Sequence, residues 1–240
     1  KIIEEIIQNS VDEAIRTDFK FAKNINVKID QDLGMVFVQD DGRGIPVVQL
    51  EDGWQPVLCW TRARAGTSFG AERNTIGANG VGSFLTTVFS KFFCGISDDG
   101  KKRLVLESKE NMSSIDVKLS NSTVQGTSVQ FFPDLPRFGL TEISDDHVNM
   151  IKDRLKHLSI CYPKIKFTLN SEVLSIPRKS IPGLYSAHAV SIPLENSLFV
   201  IAPLPKDADG FKSVSYVNGI FLKNGGNHVN WFMERMCEAM

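Results

Sequence analysis

Glu5, Asn9 and Asp12 stand at helical spacing near the start of the chain, and their types point to chemistry. At about 100° per residue, Glu5, Asn9, Asp12 and Arg16 share one narrow stripe. Ile2, Ile3, Ile6, Ile7, Val11, Ala14 and Ile15 form the broad apolar face opposite. Two carboxylates and a carboxamide, with no lysine among them, can activate water and hold a hard cation through oxygen. The same stripe also reads as the wet side of an amphipathic helix, so its meaning depends on what else the chain brings to it.

Two glycine-rich stretches are the next candidates. Asp40-Asp41-Gly42-Arg43-Gly44-Ile45-Pro46 follows a strand pattern, and glycines two apart mark a backbone that turns sharply or comes close to something. It reads as a tight turn, or as the wall of a ligand pocket with Asp40 or Asp41 accepting a hydrogen bond. Gly77-Ala78-Asn79-Gly80-Val81-Gly82-Ser83 precedes the helical spacing of Phe84, Leu85, Val88 and Phe89. A glycine loop that opens a helix offers unblocked N–H groups and a favourable dipole to an anion. It fits many turns too. No Gly-Lys-Ser/Thr follows, so it is not a P-loop, and no strand precedes it, so it is not a Rossmann fingerprint.

The elements that must position these residues follow from periodicity. Asn24–Asp30 alternates as a half-buried strand, Gln31–Gly34 turns, and Met35–Gln39 returns. Gln55–Arg64 reads as a helix, and Gly66–Asn79 as a long aperiodic loop of the kind used for lids. Strands are expected at Phe92–Ser97, Arg103–Ser108, Ser114–Leu119 and Thr127–Phe132, then a helix over Asp145–Leu158 and a strand over Lys164–Leu169. This order predicts an α/β sandwich of the α+β class, with a mainly antiparallel sheet and helices on one face. Ser171–Gly183 reads as a short hairpin and linker. Ser197–Pro203 and Lys212–Asn218 read as strands, Ile220–Asn230 as a loop, and Val229–Met240 as a helix, giving a second unit. The expected division is 1–183 and 184–240.

Composition bounds the function classes. The 240 residues are 42% hydrophobic and 23% charged with a net charge of −1, which gives no overall basic signature for nucleic acid. Cys59, Cys94, Cys161 and Cys237 form no CxxC pair and the histidines no ligand spacing, so a thiolate or imidazole metal site is not expected and the thiols are expected to be reduced. No apolar run is long enough for a membrane span, and no leader pattern is read ahead of Lys1. The chain starts and stops inside helical patterns, so a piece of a longer protein is expected.

Taken together, the helix with Glu5 and Asn9, the Asp-x-Gly-x-Gly turn and the glycine loop behind a lid resemble the GHKL ATPase family. That family is shared by type II DNA topoisomerases, Hsp90 chaperones, MutL repair proteins and histidine kinases. Asp40–Pro46 looks like the topoisomerase form of the second box, and Gly77–Gly82 like the GxNGxG of eukaryotic and phage type II enzymes. Gly126-Thr127 matches the family's GT ahead of a strand. Tyr216-Val217-Asn218-Gly219-Ile220 with Gly225-Gly226-Asn227-His228-Val229 resembles the signature of the topoisomerase transducer domain.

The resemblance implies an eight-stranded mixed sheet of the GHKL (Bergerat) type, followed by the start of a ribosomal-S5-like transducer. It implies ATP and Mg2+ as cofactors. Glu5 matches the general base that polarises water, Asn9 the magnesium ligand, and Asp40 the carboxylate that reads adenine, with Thr127 supporting the same edge. Ile45 and Pro46 would pack along the base, and Asn79, Gly80, Val81, Gly82 and Ser83 would offer donors to the phosphates. Gly44 and, in the lid, Ser68 join the nucleotide contacts. Glu13 and Arg43 match a pair that ties the first two boxes together. Asp12 is expected behind the site, Asp41 as a cap of its turn, and His228 as a residue that structures its loop.

The partners implied are a second copy of the chain, a subunit carrying the cleavage site, and double-stranded DNA, with no membrane. The location implied is cytoplasmic, in a bacterial host if the source is a phage. A MutL-like clamp and a nucleotide-sensing, chaperone-like module are the alternatives. The first would carry a GFRGEAL-like loop, and the second does not need a base at Glu5. Gln8 and Ser97-Asp98-Asp99 depart from gyrase-type enzymes, which carry an Asp and a rim Arg there, so aminocoumarins are not expected to bind as they do to gyrase. The family's transducer lysine and dimerising arm are expected outside these residues, so slow hydrolysis and weak dimerisation are expected of this piece alone.

Overall fold

The computed structural model describes residues 1–63, 81–194, 197–217, 219–222 and 224–239. Ser68, Asn79 and Gly80, with most of the expected lid and glycine loop, lie outside the described residues.

The chain opens with α1 (Ile2–Arg16), which carries Glu4 and Glu5 in its first turn and Arg16 in its last, each complementing the helix dipole. Ile6, Ile7, Val11 and Ala14 are buried, and Ile2, Ile3 and Ile15 pack partly against the same core. The hydroxyl of Thr17 donates to the Glu13 carbonyl at 2.9 Å and helps to close the last turn. The hairpin β1 (Asn24–Asp30) and β2 (Met35–Asp40) follows as the alternation predicts, with β2 one residue longer. β3 (Gln49–Leu50) and β4 (Gly53–Trp54) form a two-strand turn ahead of α2 (Gln55–Thr61), which stops before the expected Arg64. Next come α3 (Gly82–Val88), β5 (Ser90–Asp99), β6 (Lys102–Lys109), β7 (Ser114–Asn121) and β8 (Gln125–Pro133). α4 (Asp145–Cys161), β9 (Lys166–Leu169) and β10 (Glu172–Val173) complete the main body.

The strands form an eight-stranded sheet in the order β10-β9-β1-β2-β8-β5-β6-β7. Among the described residues only β1 and β9 pair in parallel, so the sheet is mixed and the fold is α+β. Register shows how the core is laid down. Leu169, Val27, Val38, Val129, Gly95 and Leu106 make one row across the sheet. Phe167, Ile25, Asp40, Thr127, Ser97 and Leu104 make the next row on the same face. This face is sealed by Ile6, Ile7, Val11 and Ala14 of α1, Trp60 of α2, and Ile151, Leu155 and Leu158 of α4. Burial of so many aliphatic side chains, each stabilising by about 1.5–3 kcal/mol, is what holds helices and sheet together. Gly95 leaves the space that Trp60 fills, since a Cβ there would lie 2.8 Å from the indole ring. The second row changes from apolar to polar at Asp40, Thr127 and Ser97, and the functional site begins there.

The remaining residues form β11 (Val190–Pro193), β12 (Leu198–Ile201), β13 (Tyr216–Val217), β14 (Ile220–Phe221) and α5 (Asn227–Ala239). β11 pairs with β12 and β13 with β14, both antiparallel. Three expectations are corrected here. Of the strand expected over Lys212–Asn218, the described residues form one only at Tyr216–Val217, Asn218 lying outside them; Ile220 belongs to a strand rather than a loop, and β11 was not foreseen. These strands are two to four residues long, too short to leave a period.

Candidate active site

Asp40 ends β2 and is 6% exposed. Its Oδ2 accepts from Ser10 Oγ of α1 at 2.7 Å, and its Oδ1 from the Gly42 backbone N–H at 2.9 Å. Burial pushes its pKa up to about 6, against the lowering effect of the bonds from Ser10, Gly42 and the Thr127 backbone. Thr127 is its register partner on β8, so its side chain rises from the same face of the sheet beside the carboxylate. Asp41 points elsewhere: its two oxygens accept from the backbone and side-chain nitrogens of Asn24 at 2.8 and 2.6 Å. Of the two carboxylates, Asp40 is therefore the one on the buried face beside Thr127.

The 42–47 segment is stitched on both sides. Toward α1, Arg43 makes a two-point ion pair with Glu13, Nε to Oε1 at 2.7 Å and the terminal nitrogen to Oε2 at 3.2 Å. This geometry suits the planar guanidinium, and the attachment raises the Arg43 pKa. Toward β5, the Ile45 carbonyl accepts from Ser97 Oγ at 2.7 Å, and the Val47 N–H donates to Asp99 Oδ2 at 2.9 Å. Burial opposes ionisation of Asp99, but the N–H groups of Lys102, Val47 and Lys101 hold its carboxyl below the usual range. Asp98 faces away and binds Arg103 and Ser122. Gly42 and Gly44 earn their place by space. A Cβ on Gly42 would meet Asp40 Oδ1 and Glu13, and one on Gly44, at φ +76°, would collide with the Asp98 carbonyl. Ile45 is half-buried and Pro46 exposed along this wall.

Glu5 and Asn9 sit at the other end of the polar stripe, against α3. Gly82 packs directly on Glu5, so a Cβ there would overlap its side chain. Asn9 Nδ2 donates to Ser83 Oγ at 2.8 Å, which leaves Oδ1 as the atom a cation would take. Thr86 Oγ1 donates to the Ile2 carbonyl at 3.2 Å and ties the same helix to the first turn of α1. Val81 lies just ahead of α3. Asp12, by contrast, is buried in the body of α1. His228 Nε2, on α5, lies 2.5 Å from the Ser215 hydroxyl, remote from these residues in the chain.

Sequence reasoning missed Ser10, Ser97 and Asp99. Ser10 was findable, because it interrupts the apolar stripe of α1 between Ile6/Ile7 and Val11/Ala14. Ser97 and Asp99 were noted only as departures, and their backbone partners on another segment leave no trace in local spacing.

The model for the histidine kinase-, DNA gyrase B- and HSP90-like ATPases matches residues 1–137, which hold every described site residue above. The chain belongs to this family of ATPases. It is 40% identical over 247 residues to the DNA topoisomerase large subunit of Enterobacteria phage T4, a match covering all of this chain and 47% of that protein. It is 30% identical over 257 residues to the probable DNA topoisomerase 2 of Dictyostelium discoideum, covering 100% of this chain and 17% of the relative. The ATPase region of Saccharomyces cerevisiae topoisomerase II superposes with a TM-score of 0.86 at 25% identity, over 100% of this chain and 66% of that one. The chain thus spans about half the length of its phage relative, and its fold is that of a type II topoisomerase ATPase region. Among the described residues no helix is long and apolar enough to cross a membrane, and no three His, Cys, Asp or Glu side chains gather to hold a metal.

Proposed function

We propose that this chain is the ATP-binding and hydrolysing gate of a type II DNA topoisomerase. One observation carries the reading. A single helix, α1, presents Ser10 to the buried acceptor Asp40, and Glu5 and Asn9 to the start of α3. Asp40 then accepts from the exocyclic amine of adenine, with Thr127 at the same edge and Ile45 and Pro46 along the ring, while Gly44 lets that wall close on β5. Glu13 and Arg43 keep the wall on α1. Glu5 accepts a proton from the attacking water or aligns it. Backbone N–H groups of Val81, Gly82 and Ser83 cradle the phosphates, and Ser68, Asn79 and Gly80, outside the described residues, are nucleotide contacts by resemblance alone. Magnesium held mainly by nucleotide phosphates needs few protein ligands, and the carboxamide oxygen of Asn9 suits that role. When bound, the ion would supply charge neutralisation at the phosphates.

On this reading, residues 1–183 form the nucleotide domain and 184–240 begin the transducer. Two copies close on ATP, capture a DNA duplex, and act with the subunit that cleaves DNA, in the cytoplasm of a host cell. ATP drives closure only by binding the closed state better than the open one.

The test is hydrolysis by the full-length protein and its Glu5→Ala variant. Removal of a general base is expected to lower kcat by about 100- to 10,000-fold while nucleotide binding persists. Unchanged turnover would remove Glu5 from the mechanism, and failure of the wild-type assembly to relax supercoiled DNA would refute the topoisomerase reading.

A further inference from the structure

Arg154 of α4 is 13% exposed and faces two elements at once. Its terminal nitrogen Nη1 donates to the Gly219 carbonyl, in the turn between β13 and β14, at 2.5 Å. Its Nε lies 3.9 Å from Glu4 Oε1, in the first turn of α1. Glu4 precedes Glu5, and that turn also accepts from Thr86 of α3 through Ile2. The β13–β14 turn is pressed onto α4 by two further contacts. Gly219, at φ +73°, leaves no room for a Cβ, which would lie 2.8 Å from the Tyr162 ring. Tyr216 packs on His157 with ring centroids 5.0 Å apart. α4 itself is fixed in the core by Ile151, Leu155 and Leu158.

A guanidinium is a rigid fork, so a shift of the turn it holds by a hydrogen bond also moves its positive charge relative to Glu4, 3.9 Å away. Arg154 joins the turn of the second unit to the end of the helix that holds Glu5 against Gly82. We propose that Arg154 is a positioning residue which makes the seating of Glu5 depend on the placement of the β13–β14 turn, and so couples hydrolysis to the second unit. The inference rests on Glu5 being the group that activates water. The coupling is a differential effect on one step: the groups at Asp40 that would read the base do not touch Arg154, so binding of the base is not the quantity it moves.

The test uses the full-length protein with Arg154→Ala, Arg154→Lys, Glu4→Gln and the Arg154→Ala/Glu4→Gln double variant. Steady-state hydrolysis gives kcat and KM, calorimetry gives ADP affinity, and thermal melts check folding. Arg154→Ala is expected to lower kcat by about three- to thirtyfold with ADP affinity and KM little changed. Arg154→Lys, which keeps the charge and one donor, recovers part of the loss. Glu4→Gln moves kcat in the same direction, and the double variant is no slower than Arg154→Ala alone. Wild-type kcat in Arg154→Ala, or a loss confined to ADP affinity, overturns the coupling. If Arg154→Ala does not fold, Arg154→Lys and Glu4→Gln decide, and wild-type kcat in both overturns it. Absence of hydrolysis in the wild type overturns the functional reading together with the coupling, so the two failures are distinguishable.

Discussion

Asp40 carries an internal conflict that makes it measurable. Its site is dry, and the three bonds it receives only partly offset the loss of water. With a pKa of about 6 in the folded state against 3.8 for the ordinary carboxyl, the folded protein takes up a proton more readily than the unfolded chain. A raised acid pKa costs stability above the folded value, and that cost disappears as pH falls from about 6 toward 4. Asp40→Asn is therefore expected to stabilise the chain at pH 7.5, by an amount on the order of 2–3 kcal/mol, and not at pH 4. An asparagine can keep both bonds if its oxygen meets Gly42 and its nitrogen meets Ser10, whose hydroxyl can turn to accept. A melting temperature for Asp40→Asn at or below wild type at pH 7.5 would contradict this. If Asp40 reads the base, nucleotide affinity, followed by calorimetry, is expected to fall as pH drops below about 6, because a neutral carboxyl offers a donor where the exocyclic amine needs an acceptor.

At the scale of elements, α3 and α1 meet across Gly82, and the contact is close enough to read as a specification. A methyl group there would overlap the Glu5 carboxylate and crowd its Cβ. If Glu5 activates water, Gly82→Ala is expected to fold with nearly the wild-type melting temperature while lowering kcat about ten- to a hundredfold, as displacement of a reacting group does. A large fall in melting temperature with normal kcat in the surviving protein would reverse that assignment. Elements were also where the sequence was most and least readable. β1 and β2 were plain from the alternation of Ile25, Val27, Ile29, Val36 and Val38, because one buried face imposes period two. The pairing of β1 with β9 joins residues some 140 apart, such as Asn26 and Thr168, and nothing local records it; only the family resemblance implied a mixed sheet. Within the candidate site, Glu5 and Asn9 taken alone fit the wet face of an amphipathic helix, and only the glycine turn after Asp40 and the family resemblance singled them out. Ser97 and Asp99 were not legible, since each acts on the backbone of residues 45–47, which any sequence could supply.

For the whole molecule, burial is uneven. Among the described residues every buried apolar side chain lies at or before Ile181. The later strands hold Val190, Ile192, Val217, Ile220 and Phe221 exposed, and the stacking of Phe199 on Phe232 joins only β12 and α5. Local stability follows buried contact, so hydrogen exchange in this chain is expected to open β11–β14 and α5 well before β1, β2, β5 and β8. Equal protection in both parts, by mass spectrometry of peptides across the chain, would refute it. Charge tells less at this scale, as a net −1 neither favours nor excludes an anionic partner at a local patch.

The Ser10–Asp40 bond has one more consequence. It pins α1 to the sheet at a single rung, and Glu5 stands five residues earlier on the same rigid rod, about 7.5 Å along its axis. The helix therefore works as a gauge block. If Asp40 takes the base, the rod sets how far away the water-activating carboxylate stands. A ligand with the right ring and too short a tail then fills one end of the gauge and leaves the other unmet.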